Sequence, residues 1–256
     1  MDLQVLALPA VVAALALVVW LVLGRRAAAT AGGDAASRAA RAAALGWTYD
    51  DSADGDTLFV MKGEEAGVKW KVSYRAGDPG DGDRPTLTWA TRSVQGSATE
   101  LRLIGRNRYE RGKANIEPAK ERLTSLILSA REIADAQERA AFLERTPPAD
   151  TGSAAFRDKF TLVARNQRLA RALVDTAAES MLLEWPAGTV ADPGNSISAW
   201  LDWKGLRIDV EDRGASMATV EHLVRLGVAL ATRYRRHATK PGITVFMTTE
   251  PGPSQT

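Results

Sequence analysis

Residues 68–75, VKWKVSYR, alternate strictly between apolar and polar side chains. In an extended chain, successive side chains point to opposite faces. One face of this segment is therefore apolar, and the other carries two lysines, a serine and an arginine. Such alternation predicts a strand of an antiparallel sheet that packs one face on the core and keeps the other in water.

Other segments fit the same sheet and the helices that would pack against it. Strands are also predicted at Thr57–Lys62, Thr86–Val94, Glu100–Arg106 and Phe160–Ala164. Apolar residues at helical spacing predict helices at Glu117–Arg145, Gln167–Leu183 and Ser216–Arg236. A short alanine-rich helix runs from its cap, Asp34, to Leu45, and Gly46 closes it. The expected fold class is α+β, with an antiparallel sheet and packed helices.

The sequence predicts two similar halves, because each half runs strands first and then a helix. Thr146-Pro147-Pro148 ends the long helix and marks the boundary between them. The expected divisions are a transmembrane anchor at 1–26, a linker with a short helix at 27–46, a first α+β half at 47–146, a second at 147–238 and a C-terminal tail at 239–256.

The segments Ser196–Trp203 and Leu206–Glu211 are typical of a β-hairpin. Lys204-Gly205 would form its two-residue turn, with glycine supplying a positive φ. This register pairs Trp203 with Leu206, Leu201 with Ile208 and Ala199 with Val210 on the apolar face, and sets Asp202 opposite Arg207 and Trp200 opposite Asp209 on the other. We therefore expect Trp203 in the core and Trp200 among charged side chains.

Trp200 is the candidate anchor for a partner, because tryptophan is enriched at interface hot spots. The alternative is that a helix covers this indole. The predicted partner-binding residues are Trp200, Asp202, Arg207 and Asp209.

The segment Leu3–Leu23, LQVLALPAVVAALALVVWLVL, holds no charged residue. About 20 helical residues cross the hydrocarbon layer of a bilayer. A cleaved signal peptide, the alternative, needs positive charge before its apolar run, and here Asp2 precedes it. Arg25 and Arg26 come directly after the run, so the positive-inside rule predicts a single-pass protein of the cell inner membrane, with its N-terminus outside and its domain cytoplasmic.

Membrane-interface residues are predicted at the C-terminal end of this apolar segment and on its cytoplasmic side. They are Trp20, Arg25, Arg26, Arg38 and Arg41. Each arginine near an anionic leaflet would contribute about 1 kcal/mol of attraction. The alternative is that these arginines only set the topology.

Composition excludes several kinds of chemistry. The 256 residues include no cysteine, which excludes disulfides, thiolate metal sites and cysteine nucleophiles. The formal net charge of +2 is too small to indicate a nucleic-acid partner. Of the two histidines, His222 is expected on the polar face of the last helix and His237 at its end. With no nucleophile elbow and no phosphate loop, no catalytic residue and no cofactor are predicted.

One stretch, YDDSADGDTLFVM at Tyr49–Met61, resembles a calcium loop, because Asp50, Ser52 and Asp54 alternate before a glycine. An EF-hand loop needs a carboxylate at its twelfth position, and that position is Met61. Aspartate and glycine also favour turns in their own right. The segment is interpreted as a turn that leads into a strand, and no metal site is predicted.

Two motifs carry a resemblance to a known class of proteins. The first is an apolar N-terminal segment and a helix that runs into Gly46-Trp47-x-Tyr49; the second is Gly152-Ser-Ala-Ala-Phe156-x-x-x-Phe160-x-Leu162 before a helix and a hairpin. Together they resemble uncharacterised bacterial single-pass membrane proteins with a cytoplasmic α+β domain. That class often has an aspartate where this chain has Arg157. It has no settled activity, so the resemblance implies no catalytic residue.

The function expected from these features is that of a non-catalytic accessory or scaffolding subunit of a larger membrane-protein complex. Its partners would be membrane lipids and other membrane-protein subunits. The alternative is a membrane-anchored sensor domain whose two halves enclose a pocket for a ligand or a lipid.

The charge difference across Leu3–Leu23 gives a test of topology. A reporter fused after Thr256 should behave as a cytoplasmic enzyme, and protease added to intact cells should leave the domain uncut. Periplasmic reporter activity, or a mature N-terminus that begins after Ala27, would contradict this prediction.

Overall fold

The computed structural model describes residues 35–51, 56–77, 84–96, 98, 100–114, 130–186, 189–190, 192–212 and 214–238. Its helices are α1 (Ala35–Ala44), α2 (Arg106–Ala114), α3 (Ala130–Arg145), α4 (Ala154–Lys159), α5 (Gln167–Leu173), α6 (Thr176–Leu183), α7 (Pro193–Ser196) and α8 (Met217–Ala238). Its strands are β1 (Thr48–Asp50), β2 (Thr57–Glu65), β3 (Val68–Arg75), β4 (Thr86–Thr91), β5 (Leu101–Gly105), β6 (Phe160–Ala164), β7 (Ile197–Asp202) and β8 (Gly205–Glu211).

The described strands form one eight-stranded antiparallel sheet in the order β1-β2-β3-β4-β8-β7-β5-β6. The α+β class is thereby confirmed. Strands from residues 47–146 and from 147–238 pair with each other, because β4 bonds to β8 and β5 bonds to both β6 and β7. Both predicted halves therefore build a single sheet, with the β7–β8 hairpin near its middle.

The alternating segment at 68–75 is strand β3, with the predicted bounds. Its four apolar residues are buried, and its two lysines and its arginine are exposed. The buried face of the sheet packs against α8, which contacts β3, β4 and β8 and also the helices α5 and α6.

The closest approach of α8 to the sheet occurs at Gly227. The indole of Trp89, on β4, has no exposed surface and lies directly against this glycine. A Cβ atom at position 227 would stand 2.4 Å from two ring carbons of Trp89, so any side chain there would displace the helix or the indole. Glycine is otherwise unfavourable inside a helix, and here it permits the packing.

The opposite face of the sheet is covered over β5 and β6. Ile104 on β5 and Val163 on β6 form a second, smaller core with Tyr109 from α2 and Phe142 from α3. Over β3, β4 and β8, the same face carries polar side chains, several of them exposed. The candidate site lies at the border between the covered and the polar parts.

Several helices differ from the sequence prediction. The helix expected over Gln167–Leu183 is two helices, because the Asp175 carboxylate accepts the N–H of Ala178 and caps α6. Helix α3 ends at Arg145 as predicted, but it begins at Ala130 in the described part; residues 115–129 lie outside it. Helix α2 was not predicted at all.

The ends of α1 and β2 bear on two of the sequence predictions. Gly46 follows α1 with a φ of +73°, and the N–H of Trp47 donates to the carbonyl of Ala42, so the predicted helix stop is confirmed. Met61 is fully buried in β2, so the twelfth position of the calcium-like loop is a core residue. Residues 52–55 lie outside the described residues.

The apolar segment Leu3–Leu23 lies outside the described residues. Within the described ranges, no helix has both the length and the apolar character that crossing a bilayer requires.

His222 is buried, so the prediction that it lies on a polar helix face is wrong. Its Nε2 atom lies 2.7 Å from the carbonyl oxygen of Met181, and its ring centroid lies 4.5 Å from that of Trp185. Both contacts come from α6 and the residues after it, which cover this side of α8. Burial lowers the pKa of His222, and the positive charge of Arg225 lowers it further, while the contact with Met181 opposes both.

The contact between Trp89 and Gly227 gives a stability prediction. Overpacking costs up to about 3 kcal/mol, whereas Gly→Ala in a helix gains about 1 kcal/mol. We expect Gly227→Ala to reduce the free energy of unfolding by about 2 kcal/mol, measured by thermal or denaturant unfolding. Trp89→Phe supplies space for the added methyl group, so Gly227→Ala should cost less stability in a Trp89→Phe background than in the wild type. The losses in the free energy of unfolding should therefore be less than additive. A Gly227→Ala variant as stable as the wild type would contradict this prediction and show that the Trp89 indole moves to make room for the added methyl group.

The lowered pKa of His222 gives a pH prediction. Because the folded state disfavours protonation of this histidine, its titration does not change the free energy of unfolding above the unfolded pKa of about 6.5. Below that pH, the free energy of unfolding falls. The free energy of unfolding should therefore fall from about pH 7 to pH 5 more steeply in the wild type than in His222→Gln. Equal slopes in the two proteins would contradict this effect of burial.

Candidate functional site

The β7–β8 hairpin exists, but its register differs from the prediction by two residues. Trp203 and Lys204 form the turn, and Asp202 pairs with Gly205. The predicted pairs of Asp202 with Arg207 and of Trp200 with Asp209 are therefore wrong; Arg207 lies opposite Trp200. A shift of two preserves the faces, so Trp200 does lie on the polar side.

One local feature and one tertiary feature explain the register. The Asp202 carboxylate accepts the backbone N–H of Lys204 at 2.8 Å, an arrangement that forms a turn by itself. Gly205 adopts a φ of +121°, and a Cβ atom there would stand 2.0 Å from the carbonyl oxygen of Thr91. Gly205 thus serves the approach of β8 to β4, and the turn falls one position earlier.

The register also changes the surroundings of two predicted residues. Trp203 lies in the turn and is partly exposed, so its prediction as a core residue is wrong. Asp202 is only 4% exposed, and its Oδ2 atom accepts a hydrogen bond from Arg139 of α3 at 3.1 Å. The carboxylate of Asp202 therefore faces a helix of this domain.

Two guanidinium groups lie over the indole of Trp200. The Cζ atom of Arg102, its register partner on β5, lies 3.3 Å from the ring centroid, and that of Arg139 lies 5.0 Å away. Cation–π contacts of this kind stabilise by about 2 kcal/mol when desolvated. The cover over Trp200 thus includes arginine side chains, and the indole remains partly exposed.

Beside this stack lies an open cleft of about 650 Å³ on the polar face of the sheet. Its charged residues are Arg75, Arg84, Arg108, Arg111, Arg207, Asp209 and Glu211. Hydroxyl and amide groups complete the lining, from Thr86, Thr88, Asn195, Ser196 and Ser198. Within the described residues, five arginines face two carboxylates in this lining, and Arg75 also pairs with Asp56 at 3.6 Å, so an excess of two positive charges remains.

The two carboxylates hold some of these arginines in place. Asp209 accepts hydrogen bonds from Nε of Arg207, at 2.8 and 2.9 Å, and from the Thr88 hydroxyl at 2.7 Å. Glu211 binds both Arg84 and Arg108, so one carboxylate serves two guanidinium groups. The cleft is thus preorganised by ion pairs and remains positive.

Helix α2 supplies one wall of the cleft. Arg108 and Arg111 are three residues apart and therefore lie on the same side of this helix. An ion pair between Arg106 and Glu110, one turn apart, supports the helix at its surface. Asn195 and Ser196, which also line the cleft, belong to α7. Gly105, directly before α2, lies close to Gly194 of α7, and this contact holds the two helices near each other.

Arg102 stands out among the charges near the cleft. Its Nε and Nη1 atoms are shielded from solvent, and neither has a hydrogen-bond acceptor among the described residues. Burial lowers the pKa of Arg102 to about 9, with Asp209 opposing this and Arg139, Arg108 and Arg207 adding to it. The guanidinium is therefore still charged at neutral pH, in a place where an uncompensated charge is costly.

The predicted membrane-interface residues fall into two groups. Trp20, Arg25 and Arg26 lie outside the described residues. Arg41 forms two hydrogen bonds with Glu221 of α8, at 2.7 and 3.0 Å, and Arg38 lies over the ring of Phe59 at 5.1 Å. Both arginines of α1 thus contact the domain, and a role for them at the bilayer stays a prediction.

Sequence reasoning found Trp200, Arg207 and Asp209 but not the cleft beside them. The arginines of the cleft come from β3, the segment before β4, α2 and β8, so no local pattern unites them. The spacing of Arg108 and Arg111 was the available signal, but it required recognising α2.

Comparisons of this chain with protein-family models, with curated proteins and with solved structures find no match.

Proposed function

We propose that this chain is a non-catalytic, membrane-anchored binding protein whose cytoplasmic domain holds an anionic ligand in the cleft beside Trp200. The observation that carries the proposal is the lining, with five arginines against two carboxylates around about 650 Å³. This volume is within the range of small-molecule sites, about 300–1,000 Å³. Arginine is the side chain best suited to bidentate binding of carboxylates and phosphates.

The membrane location is part of the proposal and rests on the sequence. The uncharged segment Leu3–Leu23, with Arg25 and Arg26 after it, supports a single-pass anchor with the domain in the cytoplasm. An anchored domain of this kind would act as a sensor, since one bound ligand changes the charge of a surface held near the bilayer.

An accessory role in a membrane-protein complex is the second candidate. The polar face extends beyond the cleft to exposed lysines on β2 and β3, namely Lys62, Lys69 and Lys71. This basic surface fits an acidic segment of a neighbouring subunit, and Trp200, Arg207 and Asp209 would lie within the contact. Electrostatic complementarity of this kind chiefly affects specificity and the rate of association.

The proposal is tested by anion binding to the full chain in a maltoside detergent. Calorimetric titration with citrate, a glutamate-rich peptide and inorganic phosphate should detect at least one ligand, and its affinity should fall with added salt. Replacing three cleft arginines (Arg75→Gln, Arg84→Gln and Arg111→Gln) should weaken that binding by about tenfold or more, because charge-assisted hydrogen bonds are lost.

The matched control removes the same charge from the helical side of the domain. Arg168→Gln, Arg171→Gln and Arg225→Gln change exposed arginines of α5 and α8. This triple variant should bind as the wild type does. No binding of any anion, or equal losses in the two triple variants, would show that the cleft is not a binding site.

A further inference from the structure

We infer that the end of the cleft lined by Arg108 and Arg207, next to the buried Arg102, binds a phosphate group. The inference rests on the proposed function, because it names the ligand chemistry of the same cleft. Arg207 and Arg108 line the cleft itself. Arg102 lies beside it, since its register partner Trp200 pairs in turn with Arg207.

Among the described residues, Arg102 lacks the hydrogen-bond acceptors that its neighbouring arginines have. Arg139 bonds to Asp202, Arg207 to Asp209, and Arg108 shares Glu211 with Arg84. Against these partnered arginines, Nε and Nη1 of Arg102 have no acceptor within the described part of the chain. Buried charges in proteins are ordinarily paired and hydrogen-bonded. A bound anion beside Arg102 would supply the missing negative charge.

The excess of positive charge around this end of the cleft favours phosphate over a single carboxylate. Among the described residues, this ion-pair network holds the five guanidinium groups of Arg84, Arg102, Arg108, Arg139 and Arg207 against the carboxylates of Asp202, Asp209 and Glu211, which leaves an excess of two positive charges. A carboxylate ligand brings one negative charge, whereas a phosphate monoester brings about −1.5 to −2 at neutral pH, with three acceptor oxygens. The phosphate therefore compensates more of the local charge and satisfies more donors.

A neutral donor and a guanidinium held in a fixed position also favour phosphate binding at this end of the cleft. Ser198 flanks Asp209 on β7 and lines the cleft, so its hydroxyl can donate to a phosphate oxygen, whereas the Thr88 hydroxyl already donates to Asp209. Trp200 holds the Arg102 guanidinium at 3.3 Å from its ring, which fixes the position of that charge before a ligand arrives. Preorganised donors bind with less loss of side-chain freedom.

The phosphate could belong to a soluble phosphorylated molecule or to a phospholipid headgroup, and the chemistry of recognition is shared. The two sources are separated by reconstituting the full chain in lipid discs. In discs of phosphatidylcholine alone, added inorganic phosphate should bind. Discs made of phosphatidylcholine and phosphatidic acid in equal parts should block that binding if the headgroup is the source, and leave it unchanged if the source is soluble.

The residue-level test titrates inorganic phosphate into the full chain in maltoside detergent. Arg102→Gln should weaken binding by about tenfold or more, because a nearby charge in a partly buried site is lost. Asp209→Asn should tighten binding, because it removes the repelling carboxylate. Arg168→Gln, an exposed arginine on α5, is the matched control and should leave binding unchanged.

Thermal unfolding separates ligand binding from a structural role. Phosphate should raise the melting temperature of the wild type and raise that of Arg102→Gln less. The comparison uses the shift within each protein, because Arg102→Gln removes both an uncompensated charge and the contact with Trp200, and these two losses have opposite effects on the ligand-free protein. If Arg102→Gln fails to fold, two other variants test the phosphate assignment. Arg207→Gln should bind phosphate more weakly than the wild type, and Asp209→Asn should bind it more tightly.

Two results separate this inference from the proposed function. If citrate or the acidic peptide binds the cleft and phosphate does not, the phosphate assignment is overturned and the anion-binding function stands. Phosphate affinity that is equal in wild type, folded Arg102→Gln and Asp209→Asn would also overturn the assignment. If no anion binds at all, both fail together.

Discussion

The architecture depends on the contact between Trp89 of β4 and Gly227 of α8. A large rigid indole fills the space that a side chain on the helix would otherwise occupy. Because α8 lies across β3, β4 and β8 at this point, the contact fixes where the longest described helix crosses the sheet. That crossing determines which face of the central strands is buried, and so which face remains for polar residues.

The two faces consequently have different tasks. The core between the sheet and its helices on the α8 side holds nearly all of the large buried side chains, including Phe59 and Ile208 on strands and Leu223 on α8. Among the residues that the structure describes, the other face has a small core over β5 and β6. At the border of that small core, α2 and α3 bring arginines against polar strands, and a charged cleft results. In the described part of the chain, the candidate site therefore lies where the cover of the sheet ends.

Local patterns predicted the parts of the fold that are determined locally. The bounds of β3 and β6 and the extent of α8 followed from alternation and from helical spacing. Helix α2 was missed because its nine residues, RNRYERGKA, include one large apolar side chain, Tyr109, and show no apolar stripe. The segment Lys204-Gly205 looked like a turn, yet Gly205 is required by the backbone of Thr91, more than a hundred residues earlier.

The candidate site was predictable only in part, for the same reason. A register error of two left Trp200 on the correct face, because the faces of a strand alternate with a period of two. The buried guanidinium of Arg102 could not be predicted, because its environment comes from α3, Trp200 on β7 and Asp209 on β8. Periodicity identifies a face, whereas charge compensation depends on which distant elements meet there.

The position of the β7–β8 hairpin has a consequence for how the chain acquires its structure. The hairpin comes late in the sequence, yet it joins the meander β1–β4 to the pair β5–β6. Until residues 197–211 have been synthesised, the inner edges of β4 and β5 have no partner strand. Sheets closed by such distant segments fold slowly, and their unpaired edges can aggregate. The domain therefore completes its sheet only after residues 197–211 have been synthesised, and the inner edges of β4 and β5 are open to wrong pairing until then.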